Sequence, residues 1–181
     1  MKKVLIPLAE GFEEIEALAT ADILKRAGLE VVIAGFPGTI VKGRSDIKVI
    51  TEKRIDDVDY RDFDCLVLHG GNPGYINLGK SKKVVEIIND FDRQKKLIAA
   101  ICAAPSILAK QGVLDNRRAT IFPGMEREVP RPRSAKVVVD GHIITSQGPG
   151  TTIDFALEII KNLLGKAKAD EVSRELVYGK M

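Results

Sequence analysis

Cysteine and histidine are scarce in this chain, and their scarcity narrows its possible functions before any motif is read. Cys65 and Cys102 are the only thiols, and neither a CxxC pair nor a Cys/His cluster occurs. That argues against a disulfide framework, a structural zinc site or any other metal centre. In a reducing compartment both thiols would be free. His69 and His142 are the only imidazoles, so a classical cysteine hydrolase, which needs a histidine base, has few candidates. Charge of one sign is missing too: 28 Lys and Arg against 25 Asp and Glu leave +3, so bulk charge names no partner. The densest basic stretch, Glu126 to Lys136, also holds Glu126, Glu128 and two prolines with almost no aromatics. It reads as a solvated loop rather than a nucleic-acid site. Long apolar runs are absent as well. Met1-Lys2-Lys3 and Val4 to Ala9 are too short for a secretory signal, and nothing nears a membrane span. A cytoplasmic protein is expected.

What is present is alternation. Short runs rich in Val, Ile and Leu take turns with helix-like segments across 181 residues that are 45% apolar, the pattern of one α/β domain over 1–181. Parallel strands are expected at Lys3 to Leu8, Glu30 to Ala34, Asp64 to Leu68, Leu97 to Ile101 and near Ala119 to Phe122. Helices are expected at Glu13 to Ala27, closed by Gly28, at Lys82 to Asp92, at Pro105 to Lys110, stopping at Gly112, and at Thr152 to Leu164, stopping at Gly165. Two hairpins interrupt the series, one over Thr39 to Ile50 and one turning at Asp140-Gly141. The tail from Lys166 to Tyr178 reads as a last helix.

Three features carry chemistry. The first is Leu97-Ile-Ala-Ala-Ile-Cys102-Ala-Ala-Pro105. An apolar strand turns at the cysteine into a helix, with small residues two positions to each side, as a sharp nucleophile turn requires. The helix amino terminus is expected to favour thiolate. Cys65, inside an apolar strand, reads as core. The second is Glu16, which on a helical wheel falls with Thr20, Ile23, Leu24 and Ala27 on the apolar stripe. Burial would raise its pKa and let the carboxyl donate to Cys102. The third is His69-Gly70-Gly71-Asn72-Pro73-Gly74, where glycines let backbone N–H groups approach a ligand. An ordinary turn explains Asn72 to Gly74 equally well. All three follow parallel strands, at the sheet edge where open α/β folds bind ligands. His69 shares that edge and is an auxiliary candidate, while His142 reads as structural.

These stretches, with Ala9-Glu-Gly-Phe-Glu-Glu-Ile-Glu16, Arg26-Ala-Gly28 and Thr145-Ser-Gln-Gly-Pro-Gly-Thr151, resemble the DJ-1/ThiJ/PfpI superfamily, in its DJ-1 branch, over essentially the whole chain. The resemblance implies a flavodoxin-like three-layer sandwich and a homodimer. It also implies an oxidation-prone nucleophile at Cys102 hydrogen-bonded to Glu16, and no cofactor. Backbone amides of Gly71 and Ala103 would form the oxyanion site, and Gly148-Pro149-Gly150 would lie near the dimer interface and the active site. Ala103 stands where protease-like relatives carry histidine, which disfavours peptidase activity. Phe122 stands where some DJ-1 proteins have a histidine, and His69 where the family usually has proline. Arg26 matches one arginine of a family surface pair, whose second member is displaced to Arg44 or lost at Ser45.

Two functions are therefore expected in competition. One is a glyoxalase or deglycase in which the Cys102 thiolate attacks methylglyoxal, glyoxal or their early adducts on proteins. The other is a redox-responsive chaperone or sensor in which Cys102 becomes sulfinic acid.

Overall fold

The continuous apolar runs of the sequence become strands covered on both faces. The computed structural model describes residues 1–179. Its strands are β1 (Lys3–Ala9), β2 (Glu30–Phe36), β3 (Ile40–Lys42), β4 (Lys48–Ile50), β5 (Lys53–Arg54), β6 (Cys65–Leu68), β7 (Leu97–Ile101), β8 (Val137–Asp140) and β9 (Ile143–Ser146). Seven form one sheet in the order β5-β2-β1-β6-β7-β9-β8, parallel except for β8, while β3 and β4 make a separate hairpin. The α-helices are α1 (Thr20–Arg26), α2 (Gly74–Lys80), α3 (Lys82–Gln94), α4 (Pro105–Lys110), α5 (Thr152–Leu164) and α6 (Lys166–Glu175). None is long and apolar enough to cross a membrane.

Alternate residues of each central strand feed two different cores, which is why these strands are apolar throughout. Val4, Ile6 and Leu8 of β1 pack with Ile23 and Leu24 of α1, Phe155 and Ile159 of α5, and Val172 of α6. Leu5, with Leu66 and Leu68 of β6, packs on the other side against Leu78 of α2, Ile87 and Phe91 of α3, and Leu108 of α4. The result is the expected three-layer α/β sandwich.

Local chemistry sets several boundaries. The Ser81 side chain accepts a bond from the Val84 N–H at 3.3 Å and starts α3, which ends at Lys95 with φ 58. Gly28, at φ 81, closes α1 as expected.

Four expectations need correction. Ala119 to Phe122 is not a strand of the sheet. It makes one bridge, Ala119 to Pro132, because β9 already occupies the place beside β7, with Ile98 opposite Ile143. Glu13 to Ala27 is not one regular helix: a π-helical turn at Ile15–Ala19 precedes α1. The second hairpin turns at Gly141-His142, one residue later than expected, since Asp140 pairs with Ile143. The last helix stops at Glu175, before a left-handed Val177 at φ 53. The short helix α2 was hidden in the sequence by Pro73, Gly74 and Gly79, poor helix formers within a few residues.

Phe155 is fully buried in the core beneath α5. Phe155→Ala is expected to lower unfolding free energy by about 3–5 kcal/mol in urea titration. Leu164→Ser, at a position 39% exposed, should change it by less than about 0.5 kcal/mol.

Candidate active site

The chain changes direction along the sheet between β1 and β6, since β2 lies on one side of β1 and β6 on the other. Loops leaving the carboxyl ends of strands on either side of such a switch diverge and open a crevice. Cys102 follows β7 directly and has φ 64, a left-handed conformation that costs a non-glycine residue on the order of 1–3 kcal/mol. Two backbone bonds hold it there: its N–H donates to Ser146 O, and its carbonyl accepts from the Phe122 N–H, both at 2.9 Å. The run that failed to become a strand thus clamps the nucleophile turn.

Strand register brings the other parts in. Leu68 of β6 lies opposite Ala100 of β7, so two residues further on Gly70 stands abreast of Cys102. A Cβ on Gly70 would come within 2.7 Å of Cys102 Cβ and 2.8 Å of its Sγ, so only glycine fits. The sequence placed Gly70 in a glycine-rich loop but carried no sign of this packing. Gly71, at φ 85, has no more room: a Cβ there would meet the Glu13 nitrogen at 2.4 Å. The N–H groups of Gly71 and Ala103 reach the Cys102 sulfur.

Glu16, in the π-helical turn, is fully buried. Its Oε2 accepts a bond from the Gly70 N–H at 2.8 Å, and Oε1 is buried with no partner in hydrogen-bond geometry among the described residues. The carboxyl is nonetheless close enough to Cys102 for each group to shift the other's titration. Burial raises the Glu16 pKa to about 7, opposed by the Gly70 N–H and the thiol. Burial, and then the Glu16 carboxylate, push the Cys102 thiol up to about 12, opposed by the Gly71 and Ala103 N–H groups. The expected bias toward thiolate is therefore reversed. With only six residues, α4 supplies little dipole, and the desolvated sulfur sits beside a second acid. When the pair has one proton between them, a thiol beside a carboxylate and a thiolate beside a carboxylic acid are the same ionisation state.

The sulfur opens into a pocket of about 220 Å³ walled by Arg44, Asn72, Tyr75, Phe122 and Met125. Of these, Arg44 is marked in the sequence only as a member of a surface pair, and Tyr75 and Met125 carry no local signal. The Arg44 Nη1 also donates to Glu13 Oε2 at 3.0 Å, while Arg26 pairs with Asp22 on α1. Gly148 packs against Phe122, whose ring a Cβ there would approach at 3.3 Å. Pro149-Gly150-Thr151 forms the 3-10 turn that leads into α5. His69 is wholly buried, neither ring nitrogen has a hydrogen-bond partner among the described residues, and burial pulls its pKa down to about 3. It is neutral at physiological pH and does not line the pocket. Cys65 is buried, and its thiol is pushed up. His142 sits away from this edge, bound to Asp92 through Nε2 at 2.7 Å.

A strained cysteine at the carboxyl edge of a parallel three-layer sheet, with a buried carboxyl beside it, defines a class of cysteine-centred α/β proteins. The sequence profile of the DJ-1/PfpI family matches residues 2–162, and this chain belongs to that family. It is 40% identical over 181 residues to protein dj-1beta of Drosophila melanogaster, with 97% of each chain covered. It is 32% identical over 180 residues to a Caenorhabditis elegans protein named glutathione-independent glyoxalase DJR-1.2, covering 98% of this chain and 96% of that one. Its structure matches oxidized Toxoplasma gondii DJ-1 with a TM-score of 0.97 at 35% identity, over 99% of this chain and all (100%) of the other.

Gly70→Ala should destabilise the fold by about 1–3 kcal/mol in denaturant titration and slow alkylation of Cys102 by iodoacetamide. Unchanged values for both would contradict the packing just described. Glu16 gives a pH signature. Its pKa is about 7 when folded against 4.5 unperturbed, so between those values the folded chain holds a proton that the unfolded chain has released. Stability therefore falls as pH rises through that window, by on the order of 3 kcal/mol. Glu16→Gln should remove that slope and be the more stable form above pH 7, as read by urea unfolding at stepped pH.

Proposed function

We propose that this protein is a cysteine-dependent glyoxalase that needs no cofactor, acting on methylglyoxal or glyoxal, with deglycase action on their early amine or thiol adducts by the same chemistry. The observation that carries this reading is Glu16, a buried carboxyl beside Cys102 with a pKa of about 7, able both to take and to return a proton near neutral pH. The name of the nematode relative supports the same activity.

As the Cys102 sulfur adds to the aldehyde carbon, its proton passes to Glu16 and on to the carbonyl oxygen, giving a hemithioacetal. The developing oxygen charge is met by N–H groups of the Gly71 and Ala103 loops. Glu16 then removes the proton from that carbon and delivers it to the neighbouring one, while the hydroxyl proton passes to the neighbouring oxygen, forming a hydroxyacyl thioester. Water cleaves the thioester, regenerates the thiol and releases lactate from methylglyoxal or glycolate from glyoxal. In a hemiaminal adduct the Cys102 sulfur displaces the amine at the same carbon: the sulfur–carbon bond forms as the carbon–nitrogen bond breaks, the amine leaves with the thiol proton delivered through Glu16, and the same hemithioacetal results. The reaction is redox-neutral overall. A cytoplasmic setting, which keeps the thiol reduced, suits it.

A second reading, an oxidation sensor, draws on the same two N–H groups and on Glu16 in its protonated form, which together suit a sulfinate on Cys102. We also propose a homodimer formed through the π-helical turn and the β3–β4 hairpin, supported by Ile15, Ile47 and Ile50, which are 56%, 53% and 80% exposed there.

Hydroxyacid formation from methylglyoxal, followed by chromatography, should vanish in Cys102→Ser and fall by about 10²-fold or more in Glu16→Gln. In the wild type, kcat/KM should rise with pH through about 7 as Glu16 ionises. If no hydroxyacid forms, while mild peroxide adds two oxygens to Cys102 and changes client binding, the sensor reading replaces the enzyme.

A further inference from the structure

Tyr75 has a second face. Besides walling the Cys102 pocket, it walls a cleft of about 370 Å³ between α2 and α4, lined also by Ile76, Gly79, Ser106, Ile107 and Gln111. Both helices begin at the active-site loops and run away from Cys102, and each ends in a lysine on the cleft, Lys80 and Lys110. At 1.5 Å per residue the two ammonium-bearing residues lie about 8–9 Å beyond the first residues of their helices. Among the described residues neither lysine takes part in an ion pair and no carboxylate lines either compartment, whereas Arg44 lines the first. Gly79 keeps the cleft open: a Cβ there would find only Ile107 Cγ1 at 3.8 Å and Cγ2 at 3.9 Å.

We propose that the cleft is a second subsite, and that the carbonyl group attacked by Cys102 is carried on a short acidic peptide segment whose chain crosses Tyr75 and whose carboxylates meet Lys80 and Lys110. This rests on the reading of Cys102 as the reacting group and names the substrate class for it. The apolar walls of Ile76 and Ile107 suit the body of a peptide, the Gln111 carboxamide is complementary to a peptide group, and the unpaired cations select its charge. A small free aldehyde fills only the Cys102 pocket and gains nothing from the cleft.

Affinity labelling tests this without requiring turnover. Iodoacetyl-Gly-Glu-Glu, iodoacetyl-Gly-Lys-Lys and iodoacetamide each alkylate the thiol: a sulfur–carbon bond forms, iodide leaves and the thiol proton goes to solvent. Rates at Cys102 are read by mass spectrometry. The wild type should label faster with the acidic probe than with the basic one by about tenfold at low ionic strength, and the ratio should shrink in about 0.5 M salt. Lys80→Glu/Lys110→Glu should reverse the order. Lys166→Glu/Lys168→Glu, with the same change in net charge on α6 at the opposite face, should keep it. Gly79→Phe should slow the acidic probe several-fold and leave iodoacetamide unchanged. A ratio that is the same in the wild type and in Lys80→Glu/Lys110→Glu overturns the subsite. Lactate formation together with that result would leave the glyoxalase reading standing, whereas an acidic preference that Lys80→Glu/Lys110→Glu reverses, found without lactate formation, would sink that reading and keep the subsite.

Discussion

A carboxyl and a thiol lie together beside the sheet edge, the first fully buried and the second partly so, and the surrounding structure is arranged to keep them there. A buried carboxylate is expensive, and a buried thiolate beside it more so, so the pair resists holding two negative charges. Glu16 retains its proton up to about pH 7, and Cys102 holds its own to about 12. Backbone N–H groups stabilise negative charge at this point, Gly70 donating to the carboxyl and Gly71 and Ala103 to the sulfur, and the Cys102 thiol and Arg44 add to this at Glu16. These three N–H groups belong to loops packed closely around the pair, and Arg44 stands on the pocket wall beyond them.

That crowding explains where the sequence is small. Gly70 exists because Cys102 occupies the space its side chain would need, and Gly71 because the Phe12–Glu13 backbone does. The strained φ of Cys102 is held from both sides, by Ser146 at the end of β9 and by Phe122 in the loop that crosses over it. Buried in the same molecule, His69 acts in the opposite direction on stability. Its folded pKa is near 3, so it disfavours folding as pH falls below 6.5, while Glu16 favours it as pH falls below 7. The two oppose each other across the mildly acidic range, which softens the pH dependence of the whole.

Much of this was legible beforehand. Continuous apolar runs bounded by turns identified β1, β2, β6 and β7, because a strand covered on both faces has no choice but to be apolar. Small residues around Cys102 marked the sharp turn, and the wheel position of Glu16 marked its burial. Where the reading failed, the deciding partner was distant in sequence. Ala119 to Phe122 has strand composition, but β9 had taken its place beside β7. A thiolate was expected from a helix start, but the helix has six residues and the sulfur faces a carboxyl 86 positions away along the chain.

By itself the sequence determined the layers, the strand runs and the two groups at the centre of the site, since these follow from local periodicity, turn chemistry and burial pattern. Only the tertiary structure decided how Glu16 and Cys102 titrate and why Gly70 must be glycine. It alone also made Tyr75 a shared wall of the Cys102 pocket and of a cleft that holds two lysines. Each of these depends on parallel register and on which segment wins a place in the sheet, and such long-range pairing leaves no periodic trace in the chain.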